Sequence, residues 1–371
     1  MTSPGEPEKG RTAQPMFESG TEWLRGAGAA SDVVLSSRVR LARNLAGVPF
    51  VHRADPEQLR RVVDNCRGAL LGAALGERTL WVDLHESPAL ERQLLVERHL
   101  VSALLAQGQR KRGVKDAEWP RALAVGMPGE RASVMVNEED HLRLQVIHSG
   151  LALDAAYEEI DAFDDRVGAA LDYAFSPRLG FLTACPTNVG TGIRVSVMLH
   201  LPGLKMTGEI EKVRAAAAAM SLAVRGFYGE GSDASGDFYQ ISNQTTLGKS
   251  ERDLLAEMRD RIVPQVVRYE RESRANLMRK RRGALEDGVM RAYGVLRHAR
   301  LLSTEEAMKL LSLLRLGVAL GLTPGIEMRS VHHLMLVTQP AHLQRVLGED
   351  MDQERRRSAR AALVRKRLGG C

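Results

Sequence analysis

The sequence predicts an α+β fold followed by an all-helical C-terminal part, and two observations carry that reading. Between residues 32 and 242, several short runs alternate apolar and polar residues, the period of half-buried strands, with helical segments between them. From Lys249 onward the alternation gives way to apolar residues at three- and four-residue spacing among dense charge, the period of amphipathic helices. The change places a boundary near residue 265. Three regions are expected: a mobile tail over 1–30, rich in Gly, Ser, Pro and charge, an α+β domain over 31–265, and a helical domain over 266–371.

The first ordered segment is a strand at 32–41, with Ser36, Arg38 and Arg40 on one face and Leu35, Val39 and Leu41 on the other. Asp55-Pro56 opens a helix to about residue 75, with aspartate as cap and proline in the first turn. Ser87-Pro88 opens another that runs through His99 to about residue 106, and a basic loop fills 109–116. Two alternating runs, 132–136 and 142–148, flank the acidic loop Asn137-Glu138-Glu139-Asp140-His141. In the second run Arg143 points away from Leu142, Leu144 and Val146. A helix at 152–171 leads to the most informative stretch, Thr183 to Met198, where a cysteine, a turn and two glycines precede a strand. Ile193, Val195, Val197 and Leu199 fall on one face of that strand, and Arg194, Ser196 and Met198 on the other. An alanine-rich helix at 209–224 ends at Arg225-Gly226, and a Gly/Ser/Asp loop at 229–236 precedes a strand at 238–242. Ser303 with Glu306 caps a later helix that stops near Gly321 and Pro324, and more helix follows to residue 368.

Composition excludes several classes. The balance of 52 Lys+Arg against 46 Asp+Glu gives +6, which permits nucleic-acid contact without demanding it. The basic helices over 268–300 and 355–367 alternate with acids and lack interleaved aromatics, so a nucleic-acid-binding protein is the lesser reading. Cys66, Cys185 and Cys371 are too few and too far apart for a disulfide framework or a zinc site, and a reducing, cytoplasmic setting is expected. The N-terminal residues do not read as a signal peptide. The apolar run at 310–322 is too short for a membrane span and is interrupted by Arg315.

Arginine recurs on the polar faces: Arg38, Arg40, Arg143, Arg194 and, at a segment end, Arg225. One such arginine is ordinarily a solvated side chain. Several on one sheet face would repel each other unless an anion lay between them, and a triphosphate would use them all. The acidic loops at Glu138-Glu139-Asp140 and at Glu230 suit a cationic acceptor or a proton that must be removed. Leu247-Gly248-Lys249-Ser250 matches only the tail of a P-loop, and neither H-R-D nor D-F-G is present.

Taken together, Ser36-Ser37-Arg38-Val39-Arg40, Asn137-Glu138-Glu139-Asp140-His141-Leu142-Arg143, Cys185-Pro186-Thr187-Asn188-Val189-Gly190-Thr191-Gly192-Ile193-Arg194 and Arg225-Gly226-Phe227-Tyr228-Gly229-Glu230 resemble the signature set of the phosphagen (guanidino) kinases. Met198-Leu199-His200-Leu201-Pro202-Gly203-Leu204 and Gln339-Pro340-Ala341-His342-Leu343 are similar to the protein-arginine kinase (McsB-type) branch. The resemblance covers roughly residues 20–368. It implies an antiparallel sheet flanked by helices, glutamine-synthetase-like, and transfer of the γ-phosphoryl of ATP, carried with Mg²⁺, to arginines of proteins marked for Clp-type degradation. It implies that Ser36, Ser37, Arg38, Val39, Arg40, His99, Arg143, Arg194, Val195, Ser196, Val197, Met198, Arg225, Gly226, Phe227, Tyr228, Gly229 and Glu230 meet ATP. Glu139 and Glu230 would hold the acceptor guanidinium, with Glu139 as base, and Cys185 matches the family's active-site cysteine. The partners implied are arginine-bearing proteins, a second copy of the chain, an activator protein and a Clp-type AAA+ unfoldase. A phosphoarginine-reading R-D-x-x-R-A motif falls on Arg356-Arg357-Ser358-Ala359-Arg360-Ala361, with Arg357 where aspartate is expected; Arg356 and Arg360 would clamp the phosphate. The rival within enzymes is a kinase for a small free guanidino compound.

Overall fold

Ten strands form two sheets in the computed structural model, which describes residues 20–108, 119–226 and 235–370. The basic loop expected at 109–116 and the residues Phe227, Tyr228, Gly229 and Glu230 lie outside the described residues. Strands β1 (Val34–Arg43), β2 (Arg78–Asp83), β3 (Ala122–Met127), β4 (Ala132–Val136), β5 (Leu142–Ser149), β8 (Ile193–His200), β9 (Leu222–Arg225) and β10 (Phe238–Asn243) make one antiparallel sheet. Its order is β2-β3-β4-β5-β1-β8-β10-β9. The short strands β6 (Phe175–Ser176) and β7 (Gly180–Phe181) pair as a separate hairpin.

Period-two alternation sorts the central strands onto two cores. Val39, Val146, Val195 and Val197 turn to one face, where α1 (Pro56–Gly72) and α4 (Leu153–Gly168) bury Val62, Leu70, Ile160 and Phe163 against them. Helix α1 begins as its sequence demands: Asp55 accepts from Gln58 N, and the Gln58 side chain accepts from Asp55 N. On the other face Ile147, Met198 and Phe238 join a second core with Leu311 and Leu314 of α10 (Thr304–Ala319) and Val331 and Leu334 of α11 (Met328–Val337). No described helix is long and apolar enough to cross a membrane.

Several expectations need correction. Residues 20–30 are not a mobile tail: Trp23 and Leu24, in a 3₁₀ turn, are buried in the second core, and Trp23 Nε1 donates to Arg98 O at 3.2 Å. The helix expected to run through His99 is two helices, α2 (Ala89–Glu97) and α3 (Ala103–Gln107), with His99 between them at a φ of +59°. The alanine-rich helix, α6 (Ile210–Ala219), stops early, and residues 222–225 become the edge strand β9 because β10 offers them a backbone partner. Strands β2 and β3 escaped the sequence reading; β3 is buried at every position and shows no alternation. Residue 265 falls inside α8 (Val263–Lys280), whose Val263, Val266 and Val267 still belong to the first core.

The sheet and the C-terminal helices meet through buried polar groups. Glu97 accepts from Ala341 N (2.8 Å) and His342 N (2.9 Å) at the start of α12 (Pro340–Leu347). Arg98, the next residue, pairs with Glu130 at 2.6 Å. His200, at the end of β8, lies 2.8 Å from Ser312 Oγ and 2.7 Å from Arg315 Nη1.

Candidate active site

Strand pairing by itself aligns the arginines. Arg40 stands opposite Arg194 on β8 and Gln145 on β5, while Arg38 stands opposite Ser196. Arg143 is opposite Ala42, two positions along from Arg40. Arg225 is opposite Gln240, which is opposite Met198, which is opposite Ser36. Paired residues share a face, as do residues two apart on one strand. Arg38, Arg40, Arg143, Arg194 and Arg225, with Ser36, Ser196 and Met198, therefore project from one face of one sheet. The intervening positions do not. Val39, Val195 and Val197 are in the opposite core, and Ser37 Oγ donates to Gly150 O (2.9 Å) and accepts from Ala152 N (3.0 Å). The side chains of those four residues, expected at the nucleotide, face away from it, because a contiguous motif on a strand lines a site only at every second residue.

Like charges set directly opposite each other repel. Burial and the neighbouring Arg143, Arg194 and Arg225 push Arg38 down to about 10. Burial, then Arg38, Arg143 and Arg194, hold Arg40 well below the ordinary arginine value against the pull of Glu138. Arg40 Nε is buried with no hydrogen-bond partner among the described residues. Arg38 donates to Ser196 Oγ (3.4 Å) and Gln240 Oε1 (2.6 Å), so Gln240 is a site residue that sequence reasoning missed. Period two on β10 would have set it beside Met198. His99 lines the same cleft, as do Trp23, Ile147 and Met198. Burial and Arg38 push its imidazole down to about 3, so it is neutral at physiological pH.

The arginine row runs into acid at Arg143, which pairs with Glu138 (2.7 Å) and Glu139 (2.9 Å). Burial opposes its charge, but Glu138, Glu139 and Asp140 outweigh burial and raise its pKa. The two glutamates differ. Glu138 is buried and accepts from Ser102 Oγ (2.7 Å) and Glu139 N (3.0 Å). Burial raises its carboxyl, but Arg143 and these donors hold it below the ordinary value. The Glu139 side chain is 41% exposed, and burial, assisted by Asp140 and Glu138, lifts its pKa against Arg143. Glu138 is thus an anchor and Glu139 a stronger proton acceptor than a free glutamate.

Asp140 brings the cysteine loop to this carboxylate. Its Oδ1 accepts from Asn44 Nδ2 (2.6 Å) and from Ala184 N (2.7 Å), and Asn44 Oδ1 accepts from His141 N (2.9 Å). Cys185 follows Ala184, with its Sγ 3.0 Å from Thr187 Oγ1 and its carbonyl accepting from Thr183 Oγ1 at 2.7 Å. Gly192 turns this loop into β8 at a φ of +68°, where a Cβ would lie 2.6 Å from Ala42 O.

The model of the ATP:guanido phosphotransferase C-terminal catalytic domain matches residues 62–273, and that of the protein-arginine kinase McsB C-terminal domain matches residues 282–371. The chain is 43% identical over 350 residues to a protein-arginine kinase of Pelotomaculum thermopropionicum, covering 93% of this chain and 95% of that one. It is 44% identical over 358 residues to one of Moorella thermoacetica, covering 95% and 99%. The chain belongs to the protein-arginine kinase family. Solved kinases share the fold of much of the chain. Lombricine kinase matches with a TM-score of 0.56 at 26% identity, over 70% of this chain and 73% of that one. The duplicated taurocyamine kinase from Schistosoma mansoni matches with a TM-score of 0.53 at 26% identity, over 68% of this chain and 33% of that one.

Within the part matched to the protein-arginine kinase C-terminal domain lies a second cavity of about 350 Å³. Arg356, Arg357 and Arg360 line it with Ser303, Thr304, Pro340 and Gln353, and no carboxylate among the described residues does. Both residues of the expected clamp line the cavity: buried Arg360 donates Nε to Thr338 O (2.7 Å) and Nη1 to Leu302 O (2.9 Å), and Arg356 donates Nη1 to Met351 O (2.6 Å).

Proposed function

We propose that this protein-arginine kinase transfers the γ-phosphoryl group of MgATP to guanidinium nitrogens of arginine side chains in proteins. One observation carries the reading: a single sheet face on which five arginines from four strands run into a carboxylate loop that is hydrogen-bonded to the loop carrying a cysteine.

In this proposal the triphosphate lies along Arg38, Arg40, Arg194 and Arg225 and relieves their mutual repulsion. Ser36, His99, Ser196, Met198, Gln240 and Gly226 line the rest of the nucleotide; Phe227, Tyr228 and Gly229, also expected to meet it, lie outside the described residues. Magnesium enters as part of the substrate MgATP. The acceptor is the harder problem. A guanidinium titrates above ~12 and has no free lone pair, so its nitrogen must lose a proton as it attacks. Glu139 takes that proton on a carboxylate oxygen. A nitrogen–phosphorus bond forms, the bond from the γ-phosphorus to the β,γ-bridging oxygen breaks, and ADP leaves with the electron pair. Glu138 fixes Arg143 and the Glu139 backbone, Glu230 holds the acceptor's planar fork, and Cys185 aligns or electrostatically supports it. The transition state is loose, so positioning and charge neutralisation supply most of the acceleration.

In this proposal the enzyme works in the cytoplasm as a homodimer, with an activator protein and a Clp-type AAA+ unfoldase as partners and phosphoarginine held by Arg356 and Arg360 in the second cavity. The decisive experiment incubates the protein with MgATP and either casein or free arginine, then maps N-linked phosphate by mass spectrometry without acid. Phosphoarginine on casein is the expected result. Phosphate on the free guanidino compound alone would overturn the proposal in favour of the small-molecule alternative.

A further inference from the structure

The Arg38 side chain lies across the sheet instead of standing off it. Its register partner on β8 is Ser196, and Ser196 is paired in turn with Ser242 on β10. Arg38 Nε donates to Ser196 Oγ at 3.4 Å. Its Nη2 reaches further, donating at 2.6 Å to Oε1 of Gln240, two positions along β10 from Ser242. Gln240 shares that face, lines the same cleft as Arg38 and is only 3% exposed. An arginine can only donate, so chemistry orients the amide: its oxygen faces Arg38. The register partner of Gln240 on β9 is Arg225, which sets the glutamine between two cationic positions.

A pin is needed here. Arg143, Arg194 and Arg225 all press on the Arg38 charge, and a long side chain under that repulsion would swing away unless it were held. Arg43, Arg98 and Arg274, buried elsewhere in the fold, are each held by a carboxylate: Asp164 at 2.7 Å, Glu130 at 2.6 Å and Glu270 at 2.6 Å. Each of those pairs is neutral as a whole and has little attraction for an anion. At Arg38 the acceptor is an amide, with the reach of a glutamate and none of its charge. The hydrogen bond fixes the guanidinium while the positive charge remains.

Resting on the nucleotide site of the function proposed above, we propose that Gln240 is a positioning residue for phosphoryl transfer. Its amide oxygen locks Arg38 across β8 toward the nucleotide phosphates, and its neutrality leaves the whole of that charge to them. Reach and lack of charge are separate requirements, and each can be removed alone.

The test is calorimetric titration with MgADP of the wild type, Gln240→Met, Gln240→Glu, Arg38→Met and the Arg38→Met, Gln240→Met pair. Gln240→Met, similar in length but without the oxygen acceptor, should weaken binding roughly tenfold, the scale of one hydrogen bond to a charged group. Gln240→Glu keeps an acceptor on Arg38 and cancels its charge, so it should weaken binding at least as much. In the Arg38→Met background, Gln240→Met should add less than about twofold, because no guanidinium is left to position. Wild-type affinity in Gln240→Met, or losses that add in the pair, would reduce Gln240 to a packing residue and overturn the proposal. Gln240→Glu with wild-type affinity overturns it too, and that comparison decides alone if Gln240→Met does not fold. Wild-type affinity in Arg38→Met, or no binding of MgADP by the wild type, overturns the nucleotide site itself and the role of Gln240 with it.

Discussion

Two groups of arginines, one at a buried junction and one on the sheet face, are treated in opposite ways. At the junction between the sheet and the C-terminal helices, Arg315 donates to His332 Nε2 (3.0 Å), Asp32 O (3.0 Å) and Ser31 O (2.9 Å). Beside it Arg274 pairs with Glu270 (2.6 Å) and donates to Asp32 O (3.0 Å) and His200 O (3.1 Å). On the sheet face, Arg40 faces another arginine and keeps a buried Nε with no partner among the described residues. Burial lowers the pKa at both places, with Arg274 adding to it for Arg315, to about 9, and the neighbouring arginines for Arg38, to about 10. A depressed pKa therefore does not separate a structural arginine from one that awaits an anion. Hydrogen-bond satisfaction does: the junction arginines are served by carbonyls, an imidazole and a carboxylate, whereas Arg40 Nε is left over, and in the proposed reading a polyanion completes that cradle.

Paired substitutions can break this comparison. Arg315→Met should cost about 1–3 kcal/mol for each acceptor it leaves buried without a donor, His332 Nε2 and Ser31 O among them, while Asp32 O keeps Arg274. Arg40→Met should leave the denaturation midpoint unchanged or raise it, since it removes a repelled, desolvated cation. It should lower kcat/KM by a factor of about 10²–10³, the usual loss for one donor aimed at developing charge. Denaturant titration and steady-state kinetics read the two effects, and an Arg40→Met variant as unstable as Arg315→Met would end the distinction. At the acid end, Glu139→Gln should lower kcat by about 10²–10⁴ with little change in KM for ATP. The base must be ionised to work. The wild-type rate should therefore fall as pH drops through the Glu139 pKa, which lies above the ordinary glutamate value, and the variant should lack that acid limb. A polyanion should also stabilise the wild type more than Arg40→Met; ADP at a hundred times its Kd adds about 2.7 kcal/mol.

Arg38, Arg40, Arg143 and Arg194 were legible in the sequence because they fall on polar positions of alternating runs, whereas Arg225 was expected at a helix end and sits on β9. The two runs that point to the protein-arginine branch were legible too, and the structure explains what they do. His200, Gly203 and Leu204 from the first run, and Ala341 and His342 from the second, are junction residues. Glu270 accepts from Gly203 N and Leu204 N at 2.9 Å each, and Glu97 accepts from Ala341 N and His342 N. Other features depend on partners distant in the chain. Nothing local says that Glu138 is anchored while its neighbour Glu139 is half exposed, since only Ser102 and Arg143 make that difference. Alanines favour continuing a helix to residue 224, and pairing with β10 overrides them. The break at His99 follows from packing: Trp23 meets its ring edge-on at 4.8 Å, and its carbonyl accepts from Gln145 Nε2 at 2.9 Å.

The smallest expected effect separates the two regions through one histidine each. His99 in the cleft and His332 at the junction are both pushed down to about 3, by burial first and then by Arg38 or Arg315. The folded state therefore refuses protons that the unfolded chain accepts near 6.5. Each imidazole's contribution is present above that value and is lost as pH falls toward 3, by at most about 1.4 kcal/mol per pH unit. The mechanism of loss differs. Protonating His332 removes the acceptor that Arg315 Nε uses, whereas protonating His99 adds a cation beside Arg38. Bound polyphosphate would offset the second penalty and not the first. His332→Gln, which keeps an acceptor without a titrating group, should match wild type at pH 7 and exceed it at pH 5.5 whether or not ADP is present. His99→Gln should show its advantage at pH 5.5 chiefly without ADP. Denaturation midpoints of both variants that respond identically to ADP would show that the junction and the cradle are one electrostatic unit.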